Sequence, residues 1–137
     1  MSGGREVGVR DSRDAGSLMV SLMILLVMVL AGAGLIVDGG RAMAARRHAT
    51  NIAEGAARAA VSSTTPVRWF DPDVARAAAI DHAERSGVPP GDVSVAIDGQ
   101  VVTVTIVERR DAVFLVVGGW SQVTVRGSGS ATVVYSE

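Results

Sequence analysis

The sequence predicts an α+β protein: a long N-terminal transmembrane helix continues into an Ala-rich helix, and a second helix and a small antiparallel β-sheet follow. Three observations support this prediction. Residues 15–37 carry no charge, and alanine then recurs at helical spacing as far as residue 60. From residue 93 onwards, valine and isoleucine alternate with smaller or polar residues, with the period of two that is typical of strands.

Residues 15–37 form the predicted membrane span. As a helix they extend roughly 35 Å, enough to cross a hydrocarbon core of about 30 Å. A soluble core helix is disfavoured, because a helix that is apolar on every face is typical of a membrane span. A cleaved signal peptide is an alternative, since residues 31–33 (Ala-Gly-Ala) fit a small-x-small cleavage pattern. Against it, the apolar run continues to Val37, and the tail before the span has no net positive charge.

The chain beyond the span forms one predicted domain, residues 38–137, and residues 1–14 form a predicted disordered tail. The charges beside the span do not decide which side of the membrane the domain occupies, because arginines are equally frequent at both ends. They are Arg5, Arg10 and Arg13 before the span, and Arg41, Arg46 and Arg47 after it.

Asp38, Gly39 and Gly40 form the predicted membrane-exit motif. Helical periodicity then continues to Val61, so we expect one helix over residues 17–61, bent or straight at the glycine pair. Its small apolar face suits close packing against a sheet or another helix. This predicted helix-packing stripe consists of Ala42, Ala45, Ala49, Ile52, Ala53, Ala56 and Ala60.

The second helix has recognisable ends. Asp71 is the predicted N-cap and Pro72 the first helical residue, and the helix ends near Ser86 with Gly87 as its stop signal. Its predicted buried face consists of Ala75, Ala79, Ile80 and Ala83.

Strands follow the second helix. Asp98-Gly99 predicts a two-residue hairpin turn, which places Val95 opposite Val102 and Val93 opposite Val104. We expect residues 109–111 to end the second strand, and residues 112–117 to form either strand or helix. Two final strands are predicted over residues 122–126 and 131–135, separated by Gly127-Ser128-Gly129.

Composition argues against catalysis and nucleic-acid binding. The chain has no cysteine, and all 13 basic residues are arginine, which excludes disulfides, thiolate chemistry and a lysine-containing phosphate loop. A net charge of −1 gives no basic surface for nucleic acid. His48 and His82 lack metal-ligand spacing, and no serine has a plausible His-carboxylate partner set. We therefore predict no catalytic, cofactor-binding or metal-binding residue.

Residues 14–60 carry motifs that resemble a known family. Asp14 and Gly16 precede the uncharged span, and residues 35–41 (LIVDGGR), 45–47 (ARR) and 51–57 (NIAEGAA) follow. Together these motifs resemble the TadE/TadG-like family of the tight-adherence (Flp) pilus system, which is related to type IV pilins. The resemblance covers about a third of the chain closely.

This resemblance implies a cytoplasmic N-terminus, an extracytoplasmic domain, and a role as minor pilin, pseudopilin or assembly factor. The implied partners are membrane lipid and other pilus or secretion-apparatus proteins, in a homo- or hetero-oligomer. Pilin-type processing would cut between Gly16 and Ser17, but pilins typically carry glutamate where this chain has Ser21. TadG-like members often lack that glutamate, which favours an assembly factor.

A binding module of another class is the competing hypothesis. An anchored or secreted domain that recognises a ligand would present its aromatic residues to solvent. The candidates for such a surface are Trp69, Phe70 and Trp120.

Overall fold

The computed structural model of this protein describes residues 11–64 and 70–134. It confirms the α+β class. The elements are α1 (Asp11–Ser62), α2 (Pro72–Arg85), β1 (Val93–Asp98), β2 (Val101–Asp111) and β3 (Gln122–Thr132), with short 3-10 helices at Pro90–Asp92 and Leu115–Gly118. Residues 1–10 of the predicted tail, and Trp69 and Tyr135, lie outside the described residues.

Helix α1 joins the predicted span and the domain without interruption. It has 52 residues and continues through Gly39 and Gly40, which makes it about 78 Å long. Residues 16–33 are all exposed, whereas the buried positions begin at Gly34 and increase beyond Ala45. Among the described residues, α1 is the one helix long and apolar enough to cross a membrane.

Helix α2 begins where the sequence predicted. The Asp71 carboxylate accepts hydrogen bonds from the N–H groups of Asp73 at 3.0 Å and Val74 at 3.3 Å, so the predicted N-cap is confirmed. Gly87, with a positive φ of 86°, follows the helix end. Ala75, Ala79 and Ala83 are buried where α2 packs against α1, and Ile80 is half-buried.

The β1–β2 hairpin has the predicted inner face but a different register. Val95 pairs with Val104 and Ile97 with Val102, so the predicted pairing of Val95 with Val102 is wrong. The turn residues are Gly99 and Gln100, with a positive φ only at Gly99. That pattern fits a type II′ turn, which needs glycine at its first central position. The shift of two residues leaves the same side chains on the inner face.

The remaining strands are longer than predicted. Strand β2 continues through residues 109–111 to pair with the start of β3, because these charged side chains lie in solvent while their backbone stays in the ladder. The predicted strand over residues 122–126 continues to Thr132 as the single strand β3, which makes the sheet order β1-β2-β3. The predicted final strand over residues 131–135 is therefore wrong beyond Thr132, since Val133 and Val134 follow the end of β3. Gly127 and Gly129 therefore do not interrupt the strand; they pair with Ile106 and Val104.

These two glycines allow β3 to lie against the backbone of α1. A Cβ added to Gly127 would overlap the backbone at Ala49 and Thr50, and one added to Gly129 would overlap the backbone at Glu54. Strand β2 supplies the large side chains of the core. The fully buried ones are Val102, Val104 and Ile106.

This packing predicts the effect of a single methyl group on β3. Gly127→Ala should lower the free energy of unfolding by about 1–3 kcal/mol, because the methyl group forces the sheet away from α1. Urea denaturation in detergent measures this change. Ser128→Ala, at the exposed position between the two glycines, is the control and should stay within about 0.5 kcal/mol of the parent. Equal stability of the two variants would contradict the close packing.

Candidate membrane-exit site

Asp38 is a buried polar residue of α1, with 5% of its surface exposed. Its carboxylate accepts hydrogen bonds from the backbone N–H groups of Val113 at 3.3 Å and of Phe114 and Leu115 at 2.8 Å. These N–H groups lie at the start of the 3-10 helix Leu115–Gly118, where backbone donors have no partner within the helix. Asp38 thus caps a helix that is 75 residues or more away in the sequence.

The surroundings of Asp38 stabilise its ionised form. Burial raises the pKa of the Asp38 carboxyl, but the N–H groups of Leu115, Phe114 and Val113 and the charge of Arg41 lower it, and the net pKa is below the ordinary 3.8. At neutral pH the carboxylate is therefore an acceptor only, as its three donors require.

One turn before Asp38, Gly34 makes room for Phe114. A Cβ added to Gly34 would lie 2.7 Å from Cγ of the Phe114 ring, so any larger residue would displace the ring. The β2–β3 loop, residues 112–121, consequently lies against the last turns of the predicted span. Loop and helix together line an open apolar groove of about 700 Å³, formed by Val27, Leu30, Ala31, Ala33, Gly34, Leu35, Val37, Phe114, Leu115, Gly118 and Trp120.

The rest of the predicted exit motif is exposed. Gly39 and Gly40 lie on the surface of α1, and a Cβ added to either has no neighbour within 4 Å. The sequence predicted Asp38 as the end of the span but did not indicate its hydrogen bonds to the loop. Those bonds depend on a chain reversal that no local pattern around residue 113 encodes.

Most of the predicted packing stripe lies inside the domain. Ala42 is half-buried, and the other six members are buried, namely Ala45, Ala49, Ile52, Ala53, Ala56 and Ala60. Ala57 is also fully buried, although the prediction did not include it. It lies four residues after Ala53, so a wider helical face would have contained it.

The predicted processing site lies within α1. Gly16 and Ser17 are exposed, and the Ser21 hydroxyl donates to the backbone oxygen of Ser17 at 2.9 Å. This bond within the helix satisfies a hydroxyl group that would otherwise lack a partner in lipid.

The histidines occupy different environments. His48 is exposed, whereas His82 is half-buried against α1. A Cβ added to Gly55 would lie 2.6 Å from Nε2 of His82, so this glycine accommodates the ring. Within residues 11–64 and 70–134, no cluster of three or more histidine or carboxylate side chains has the arrangement of a metal site.

Removing the charge of Asp38 should release the loop. Asp38→Asn keeps the size of the side chain but has one oxygen for three donors, so the amides of residues 113–115 should exchange with solvent severalfold faster. Hydrogen exchange followed by mass spectrometry measures the rate. Asp81→Asn, which removes only an exposed ion pair with Arg85, is the control and should leave these amides unchanged. Unchanged exchange in Asp38→Asn would contradict the capping role.

The same contact should depend on pH in the acidic range. Because the pKa of Asp38 is lower in the folded protein than in the unfolded chain, its stabilising contribution is complete above 3.8 and is lost as the pH falls through the folded value. The amide proton resonance of Phe114, followed by NMR in detergent, should therefore titrate below pH 3.8 in the parent and not in Asp38→Asn. A midpoint above that value would contradict the assigned direction.

The family comparison finds a match in the segment that contains this site. Residues 16–63, about a third of the chain, match the family model described as "Putative Flp pilus-assembly TadE/G-like". No curated protein and no solved structure matches the chain. The matched segment covers nearly all of α1, including Asp38 and the packing stripe. The N-terminal helix of this chain is thus similar to the TadE/G-like pilus-assembly family, which confirms the resemblance seen in the sequence.

Proposed function

We propose that this protein is a single-pass, membrane-anchored structural component of a tight-adherence pilus or a related secretion system. The observation that carries the proposal is the coincidence of the family match with one continuous helix. The first part of that helix exposes apolar side chains all round, and its second part is the core of the domain. An anchor and a folded domain therefore share one element.

The exposed part of α1 is suited to lipid. Residues 16–33 present mainly leucine, valine, methionine and isoleucine on every side, and helical hydrogen bonds satisfy the backbone. Exposure of such a surface to water is unfavourable in proportion to its apolar area. A lipid bilayer removes that cost. The helix is stable in hydrocarbon because its backbone N–H and C=O groups are hydrogen-bonded to one another.

The continuity of α1 also suggests how the protein acts. Because no linker separates span and core, a displacement of the span moves the domain with it. Such a unit suits a structural role in a membrane apparatus, in which one protein moves or holds another through direct contacts. The Ser21 hydroxyl donates to the backbone oxygen of Ser17 within the same helix, and it has no charge with which to bind a neighbouring subunit. Because pilins typically carry glutamate at this position, Ser21 favours an assembly factor over a filament subunit.

The exposed side of α1 within the domain is the surface that we propose for partners. It includes a shallow hollow formed by Met43, Arg46, Arg47, Thr50 and Asn51, next to the point where Gly127 of β3 meets the helix. Gly39 and Gly40 lie immediately before this hollow, and such small residues let another helix approach closely. The proposed partners are other pilus or secretion-apparatus proteins, or a second copy of this chain.

A ligand-binding module is less well supported. Phe70 packs against the buried core, and Trp69 lies outside the described residues. Trp120 is exposed, but it lies beside the apolar part of α1 rather than in a polar cleft. Its surroundings favour membrane association over recognition of a soluble ligand.

Orientation and processing test the proposal together. The chain lacks cysteine, so Ser12→Cys and Ser94→Cys each introduce a single thiol, one on either side of the span. In spheroplasts, a membrane-impermeant maleimide should label Ser94→Cys and should label Ser12→Cys only after lysis. The intact mass of the protein from its own membranes should show residues 17–137 present in every molecule.

Three results would contradict the proposal. Labelling of Ser12→Cys without lysis would reverse the orientation, and a mass that begins at Gly34 would mean a cleaved signal peptide. The pilus assignment has its own test, in which deletion of the gene should abolish surface pili and the full-length gene should restore them. Normal piliation of the deletion strain would exclude that assignment.

A further inference from the structure

We propose that the β2–β3 loop, residues 112–121, is a second membrane-contacting element that inserts into the half of the lipid bilayer next to the domain, beside α1. The inference rests on the proposed membrane anchor and extends it. A single-pass helix by itself implies one contact with lipid, whereas the fold brings a distant part of the chain to the same surface. The occupant of the apolar groove is then lipid.

The first argument is the position of the loop along α1. Asp38 binds its residues 113–115, and Gly34, roughly 6 Å nearer to the N-terminus, lies under the ring of Phe114. Trp120 shares the apolar groove with Val27 and Leu30, which are deeper still in the predicted span. The loop therefore lies alongside the apolar helix rather than beyond its end.

The second argument is the chemistry of the loop. Residues 112–120 contain no charged side chain. Four large apolar side chains are each about half exposed or more, namely Val113, Phe114, Val116 and Trp120. Such a concentration on one loop of a small domain marks a surface of interaction rather than ordinary solvent exposure. Tryptophan in particular is enriched at the membrane–water interface.

The third argument is the backbone of the loop. Asp38 accepts the N–H groups of residues 113–115, and the Ala112 N–H donates to the oxygen of Ser121 at 3.0 Å. The N–H groups of Gly119 and Trp120 donate to Val116 and Leu115 within the loop. Irregular backbone is tolerated at membrane depth only when its polar groups have hydrogen-bond partners. In this loop, six backbone N–H groups have an acceptor.

The fourth argument is the length of the span. If the bilayer ended below Val27 to keep the whole groove in water, residues 15–26 would remain in hydrocarbon. They extend about 18 Å, well short of a core of about 30 Å. With the loop inserted into the bilayer beside α1, the span keeps residues 15–37 and roughly 35 Å.

Arginine side chains lie where the lipid headgroups would be. Arg41, one turn beyond Asp38, and Arg110, just before the loop, line a common hollow with His48. Anionic lipid headgroups attract basic residues at this level. Along α1, the apolar groove comes first, then the Asp38 contact, then the two arginines. This order matches that of the layers in a bilayer, from hydrocarbon to headgroups.

Fluorescence of Trp120 tests the proposal. The full chain carrying Trp69→Phe, reconstituted in phosphatidylcholine–phosphatidylglycerol vesicles, has Trp120 as its single tryptophan. Lipids brominated near the headgroup should quench its emission more strongly than lipids brominated near the chain ends. Quenching by aqueous iodide should be severalfold weaker than for a surface reference. Two references without Trp69 and Trp120 complete the set, with Leu26→Trp in the span and Ser94→Trp on the exposed face of β1.

Each other outcome overturns the inference in a recognisable way. Strong iodide quenching of Trp120 combined with lipid quenching of the Leu26→Trp reference would leave the anchor intact and place the loop in water. Protection of Trp120 from both quenchers would mean that a protein chain, such as a second copy, occupies the groove. Absence of lipid quenching at the Leu26→Trp reference would show that the anchor itself, and hence the proposed function, is wrong.

Discussion

The close approach of α1 to β3 is the contact on which the rest of the structure depends. Ala49 and Ala53 on the helix face Gly127 and Gly129 on the strand, so two backbones meet with almost no side chain between them. Small residues bury little area each, and the domain compensates by dense packing, in which many dispersion contacts act over short distances. Strand β2 then supplies the bulk of the core with Val102, Val104 and Ile106.

This packing has a consequence for the membrane. Beyond Ala45, α1 packs against the sheet, and the helix continues without a break from there into its apolar half. The folded domain therefore sets the direction in which the apolar half of α1 extends. The glycines at positions 39 and 40 lie in the uninterrupted helix, where they leave a bare surface toward solvent or a partner. The predicted span and the domain share one uninterrupted helix, which is the property that the proposed structural role requires.

Asp38 links α1 to the loop between β2 and β3. Its carboxylate holds the loop between β2 and β3 by three backbone N–H groups, and Gly34 admits Phe114 one turn below. A charge at the membrane boundary is costly unless it has partners, and here the partners are the donors of a loop that is itself apolar outside. The charge and the loop thus satisfy each other at the level where we propose that water gives way to lipid.

The sequence by itself determined the long helix, the cap of α2, the inner face of the hairpin and the family resemblance, because these depend on local spacing and on residues close together in the chain. It missed the turn at Gly99-Gln100 and the continuity of β3 through Gly127 and Gly129. It also missed the hydrogen bonds of Asp38, whose acceptor and donors are separated by 75 to 77 residues. Tertiary structure decided these features, because each depends on residues that are distant in the chain. In β3, for example, glycine lets the strand continue where the backbone of α1 lies against it.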